Sequence, residues 1–79
     1  MDIKTDDRII WNANEIRVEE REHGKCDLIV VYGSNNYSCI GKDLDTAKAR
    51  KFIKEMWSQM CHFNCTGYCI GSDEIKEMK

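Results

Sequence analysis

The sequence predicts an α+β fold: a small antiparallel sheet of three to four strands with one amphipathic helix packed across a face. Three observations carry that reading. Residues 15–21 alternate, with Ile16 and Val18 to one side and Glu15, Arg17 and Glu19 to the other, the period of a strand with one buried and one solvated face. Residues 26–32 read Cys-Asp-Leu-Ile-Val-Val-Tyr, β-branched and apolar on both sides, as suits a central strand. Apolar residues then recur at Ala49, Phe52, Ile53, Met56, Trp57 and Met60, the spacing of an amphipathic helix.

Each element has a local cause. Asn12-Ala13-Asn14 reads as a turn because Asn tolerates turn backbones and bonds its own main chain. His23-Gly24-Lys25 reads as a hairpin turn between the first two long strands. Gly33-Ser34-Asn35-Asn36 is a second turn, and residues 37–41 form a third pairing strand. Asp45 and Thr46 offer an N-cap with Asp43 before them, so the helix is expected over residues 45–61. Short connections favour antiparallel neighbours. Phe52 and Trp57 fall on the apolar helix stripe and are expected in the core.

The 79 residues form a single domain, with residues 1–7 flexible and residues 62–79 an irregular C-terminal segment. Ser72-Asp73-Glu74 offers the start of a short last helical turn. A domain this small buries roughly 60% of the surface its unfolded chain exposes. Self-association, a metal or disulfides are the usual supplements. The central strand is apolar on both faces, and one helix covers only one of them. The other face needs either residues 62–79 or another protein, and we expect a homodimer or larger assembly.

Composition narrows the function classes. The net charge is −2 and the sequence pI about 5.6, whereas nucleic-acid-binding domains are usually basic. General nucleic-acid binding is not expected. No run approaches the ~20 apolar residues that span a bilayer, so no membrane association is expected. The N-terminus Met-Asp-Ile-Lys-Thr-Asp-Asp has no apolar core of a signal peptide, and a cytoplasmic location is the expectation. Five cysteines, an odd number, argue against a disulfide framework there.

Charge is unevenly distributed. Residues 1–45 carry ten acids and six bases, whereas residues 46–62 carry four bases and one acid. The polar side of the helix, with Lys48, Arg50, Lys51 and Lys54, is therefore a basic surface on an acidic body, and opposite charge steers encounter with an acidic partner or a phosphorylated ligand. Trp11, Tyr32 and Tyr37 lie on short strands or loops and complete the candidate binding residues.

Candidate chemistry is sparse. Cys61, His62, Cys65 and Cys69 are zinc-ligand types within nine residues. Zinc modules instead separate two pairs by a longer loop, and small buried thiols packing a helix end explain the same residues. No metal site is assigned to them. Cys61 and His62 are sequence neighbours, which do not face each other on a helix. No Gly-rich phosphate loop or catalytic signature is present. The expectation is a protein without a catalytic residue or a cofactor.

Three segments carry a resemblance: Asn12-Ala13-Asn14-Glu15-Ile16 opening a strand, Glu22-His23-Gly24-Lys25 in a charged hairpin, and Gly41-Lys42-Asp43-Leu44-Asp45-Thr46 leading into the helix. The pattern resembles small phage and mobile-element proteins of the β-meander-plus-helix type, including anti-defence inhibitors of the anti-CRISPR kind. That resemblance implies a non-enzymatic interaction protein, an inhibitor or regulator that binds a host protein. One alternative is a homo-oligomer that binds a small phosphorylated ligand or nucleotide through the basic helix face. A second is a metal- or thiol-dependent regulator built on Cys61, His62, Cys65 and Cys69.

Overall fold

The computed structural model describes residues 1–63 and 66–79. Its elements run β1 (Asp2–Lys4), β2 (Ile9–Ile10), β3 (Ala13–Glu20), β4 (Lys25–Tyr32), β5 (Asn36–Asp45), α1 (Thr46–Phe63), β6 (Gly67–Cys69) and α2 (Ser72–Glu77). They make the expected α+β architecture, with two sheets rather than one. β3, β4 and β5 form an antiparallel meander with β4 central, and β2, β1 and β6 form a second sheet in which β1 and β6 run parallel.

The meander follows from the patterns that predict it. Ile16 sits opposite Val30, Val18 opposite Leu28 and Glu20 opposite Cys26. Ile16, Leu28, Val30 and Cys26 are all buried, on the face that receives α1. The β3–β4 connection is a single 3₁₀ turn at Glu22–Gly24, where His23 and Gly24 both have positive φ. The third strand is longer than residues 37–41. It runs on to Asp45 because a bulge lets Cys26 pair with Leu44 while Leu28 pairs with Gly41, so Leu44 returns to the core with no exposed surface.

α1 begins after Asp45, whose Oδ2 accepts the Lys48 N–H at 3.0 Å, satisfying one of the donors left open at a helix start. Ala49, Met56 and Met60 are buried, while Phe52 and Ile53 pack half-buried against the same core. Trp57 departs from the expectation: it is 40% exposed. It lies on the flank of the apolar stripe, where the helix turns from the sheet toward solvent.

The two chain ends build the second sheet. Residues 1–7, read from the sequence as a flexible end, contain β1 and place Ile3 fully in the core. A single apolar residue among polar ones gives no periodic signal. Its burial depends on β2 and β6, the latter distant in sequence. Residues 62–79, read as irregular, contain β6 and α2, and Ile70 and Met78 are buried with Ile3 and Leu44. Asp6 Oδ2 accepts the Ser72 N–H at 3.0 Å and Glu74 Oε2 the Gly71 N–H at 2.9 Å, so the first turn of α2 is fixed from both ends of the chain.

Candidate functional site

The alternation of strand side chains divides the meander into two faces. α1 and the C-terminal segment share the inner face: Tyr68 of β6 meets Phe52 of α1, and Ile75 of α2 packs against the same core. Among the described residues no element packs on the outer face. The C-terminal segment therefore closes the helix side of the core rather than the second face of the sheet.

Three rows cross the outer face. Glu15, Val31 and Tyr37 make the first, Arg17, Ile29 and Cys39 the second, and Glu19 and Asp27 the third. Ile29, Val31 and Cys39 are half-buried by their neighbours alone, and Tyr37 is 72% exposed. The centre and one side of the face are apolar; the β3 side is charged. Arg17 Nη2 lies 2.6 Å from Glu15 Oε1 and its Nη1 3.4 Å from Glu19 Oε1. Those hydrogen bonds, the one to Glu15 first, raise the Arg17 guanidinium pKa further above its ordinary range. At the end of the sheet Arg21 bridges Asp43 and Asp27, with Asp27 Oδ1 at 3.1 Å. Asp27 Oδ1 also accepts the Asp43 N–H at 3.2 Å, which holds the bulge where Asp43 takes a positive φ. Glu15, Glu19, Asp27 and Asp43 are interleaved with Arg17, Arg21, Lys25 and Lys42, the last two exposed beside them, so the rim carries both signs of charge.

The candidate residues read from the sequence do not converge. Lys48, Arg50, Lys51 and Lys54 are all exposed on α1, on the opposite side of the meander from Tyr37. Arg50 pairs with Glu20 of β3, and Lys48 Nζ donates to the backbone oxygen of Lys79 at 3.2 Å. Among the described residues Lys51 and Lys54 make no ion pair. Trp11 is 65% exposed in the turn between β2 and β3. Tyr32 is half-buried against the core and acts as packing. Of the seven residues, Tyr37 belongs to the outer apolar face.

The cysteine candidates are scattered. Cys26 is buried, Cys39 is half-buried, and Cys61 and Cys69 are exposed. Tyr68 turns toward α1, where its hydroxyl meets Gln59 Oε1 at 3.2 Å, so its strand neighbour Cys69 turns away from the helix that carries Cys61 and His62. Cys65 lies outside the described residues. Among the described residues no three Cys, His, Asp or Glu side chains group as a metal site would require. Among the same residues no helix is long and apolar enough to cross a membrane.

Comparison with known proteins adds no relative: no family model, no curated protein and no solved structure matches the chain.

Two features of the surface escape a reading of the sequence. Trp57 looks like core from its spacing, and only the orientation of α1 exposes it. Glu15, Arg17, Glu19 and Arg21 read as an ordinary solvated strand face, and their position on an edge strand appears only with the sheet order.

Proposed function

We propose that this chain is a non-enzymatic binding protein that holds a host protein against the outer face of its meander. The observation that carries the reading is the one-sided packing of the fold. α1, β6 and α2 all close the inner face, while Ile29, Val31 and Tyr37 form an apolar surface on the other side. Apolar patches with a polar rim mark interaction sites on small proteins. The mixed-charge rim suits a partner surface with an apolar centre and charged surroundings of both signs. The reading keeps the class expected from the sequence: an inhibitor or regulator, phage- or mobile-element-encoded, working by occupation of a host protein, and at least a homodimer in its active form.

The basic helix face is the second reading. The outer face is favoured over it because Arg50 is engaged by Glu20 and Lys48 by the Lys79 backbone, and the cleft that Lys48 and Lys51 line is shared with Glu55 and Glu77, which offset its positive charge. Pull-down from host lysate with immobilised protein compares the two. The outer-face reading expects a specific captured protein that is lost with Tyr37→Glu and kept with the double variant Lys51→Glu, Lys54→Glu. The reverse pattern assigns binding to the helix.

A further inference from the structure

β3 is an edge strand, and its hydrogen-bonding phase is fixed by the hairpin. The Arg21 N–H donates to the Lys25 backbone oxygen at 2.7 Å, which makes these two a hydrogen-bonded pair. The same ladder continues through Glu19 opposite Asp27, Arg17 opposite Ile29 and Glu15 opposite Val31. Odd-numbered residues therefore direct their backbone groups to β4, and Ile16, Val18 and Glu20 direct theirs to the open edge. Met1 occupies this strand only at its start, through its backbone pairing with Ala13. The opposite edge of the sheet is more occupied: Asp45 N–H donates to the Met78 oxygen at 2.7 Å and Arg8 bonds Ser38.

The side chains along the open edge have a pattern of their own. On the outer face they run Glu15, Arg17, Glu19, Arg21, acid and base in strict alternation. On the inner face α1 overhangs the edge, because Arg50 pairs with Glu20. Trp57 lies seven residues beyond Arg50, on the same side of the helix, and is 40% exposed.

We propose that β3 pairs antiparallel with β3 of a second copy, about a two-fold axis at Val18. In this register Val18 faces its own mate and Ile16 faces the second copy's Glu20, all of them residues with outward backbone groups. Arg17 faces Glu19 of the other chain, and Glu15 faces Arg21. Every charged pair on the outer face is then of opposite sign, which stabilises cross-strand neighbours. The two neighbouring registers fail. An axis at Arg17 sets Arg17 against its mate and Glu15 against Glu19. An axis at Glu19 sets Glu19 against its mate and Arg17 against Arg21. Pairing about Val18 also brings the two overhanging helix flanks together, which covers Trp57. The contact is isologous and closed. It removes the open edge that otherwise invites uncontrolled strand addition. The two three-stranded meanders become one continuous sheet, and their outer faces join into a single surface. The inference rests on the reading of the chain as a self-associating binding protein and specifies the contact.

Charge reversal tests it. Arg17→Glu would set the new acid at position 17 against Glu19 of the other copy. Glu19→Arg would set the new base at position 19 against Arg17. Mixed together, the two variants restore opposite charges at every such pair. Light scattering at micromolar concentration should give the wild type twice the 9.2 kDa chain mass, each variant alone the single chain mass, and the equimolar mixture twice it again. Far-UV circular dichroism of each variant confirms the fold, and Glu15→Arg with Arg21→Glu forms a second complementary couple if either is unfolded. A wild type at the single chain mass overturns both this contact and self-association. A dimeric wild type whose variants stay dimeric alone, or fail to recombine, overturns this contact and leaves self-association standing.

Discussion

The ring of Phe52 on α1 meets the ring of Tyr68 on β6 edge-on, with centroids 6.2 Å apart and planes inclined at 78°. This contact ties the helix to the second sheet. It also shows why the C-terminal segment is unavailable to the outer face of the meander. Tyr68 is committed to Phe52 and Gln59, Ile70 is buried in the core, and β6 is anchored to β1 by register pairs from Asp2–Gly67 to Lys4–Cys69.

Edge-to-face aromatic pairs contribute about 0.5–1.5 kcal/mol beyond the area they bury. A double-mutant cycle with Phe52→Leu and Tyr68→Leu should return a coupling energy in that range from urea unfolding. Additive single effects would show that the ring contact does not hold the helix to the second sheet.

Leu28 and Met56 are buried from opposite layers of the same core. Truncating either to alanine should cost roughly 2–5 kcal/mol of unfolding free energy. Ile53→Asp should also cost several kcal/mol, roughly the scale of placing an unpaired charge against apolar neighbours. Melting curves that match the wild type would contradict the packing of α1 on the meander.

Ile75 of α2 packs closely over Gly41 of the meander. A Cβ there would lie 3.0 Å from Leu44 Cδ1 and 3.1 Å from Ile75 Cδ1. Gly41→Ala should cost about 1–3 kcal/mol, the usual penalty for overpacking, and should raise proteolytic cleavage within residues 71–79. Unchanged cleavage would mean that Ile75 yields without loosening the segment.

Hydrogen bonds from Ser72, first from its side chain and then from its backbone N–H, hold the Asp6 carboxyl below its ordinary value of 3.8. A depressed carboxylate pKa stabilises the fold above the unfolded-state value, and that stabilisation is lost as pH falls through the folded-state value. Asp6→Asn should therefore be less stable than the wild type above pH 3.8, and the gap should close on further acidification. A gap independent of pH would remove Asp6 from the linkage between the chain ends.

The long elements were legible from the sequence because each carries its own period. The alternation around Ile16 and Val18, the β-branched run of β4 and the helical repeat to Met60 each fix a structure locally. β1, β2 and β6 have two or three residues each, too few to show a period. Their pairing joins residues such as Ile3 and Tyr68 across nearly the whole chain. The doubly apolar central strand signalled a face in need of cover. Whether residues 62–79 supply that cover was open at the level of sequence, because Ile70 and Met78 sit among glycines and charges and reveal their burial only once β6 and α2 are docked. Of the candidate binding residues, Tyr37 could be placed beside Val31 only from the register across the β4–β5 turn, and Tyr32 turned inward for the same reason.

Site-resolved photo-crosslinking reports directly on whether a partner sits on the outer face of the meander. A benzophenone amino acid is placed at Tyr37 on the outer face and, in a second protein, at Lys51 on the helix, and each is irradiated in host lysate. A partner on the outer face gives a discrete adduct with one host protein from position 37, abolished by Val31→Asp in the same chain, and none from position 51. An adduct formed only from position 51, or one at position 37 indifferent to Val31→Asp, would contradict outer-face binding.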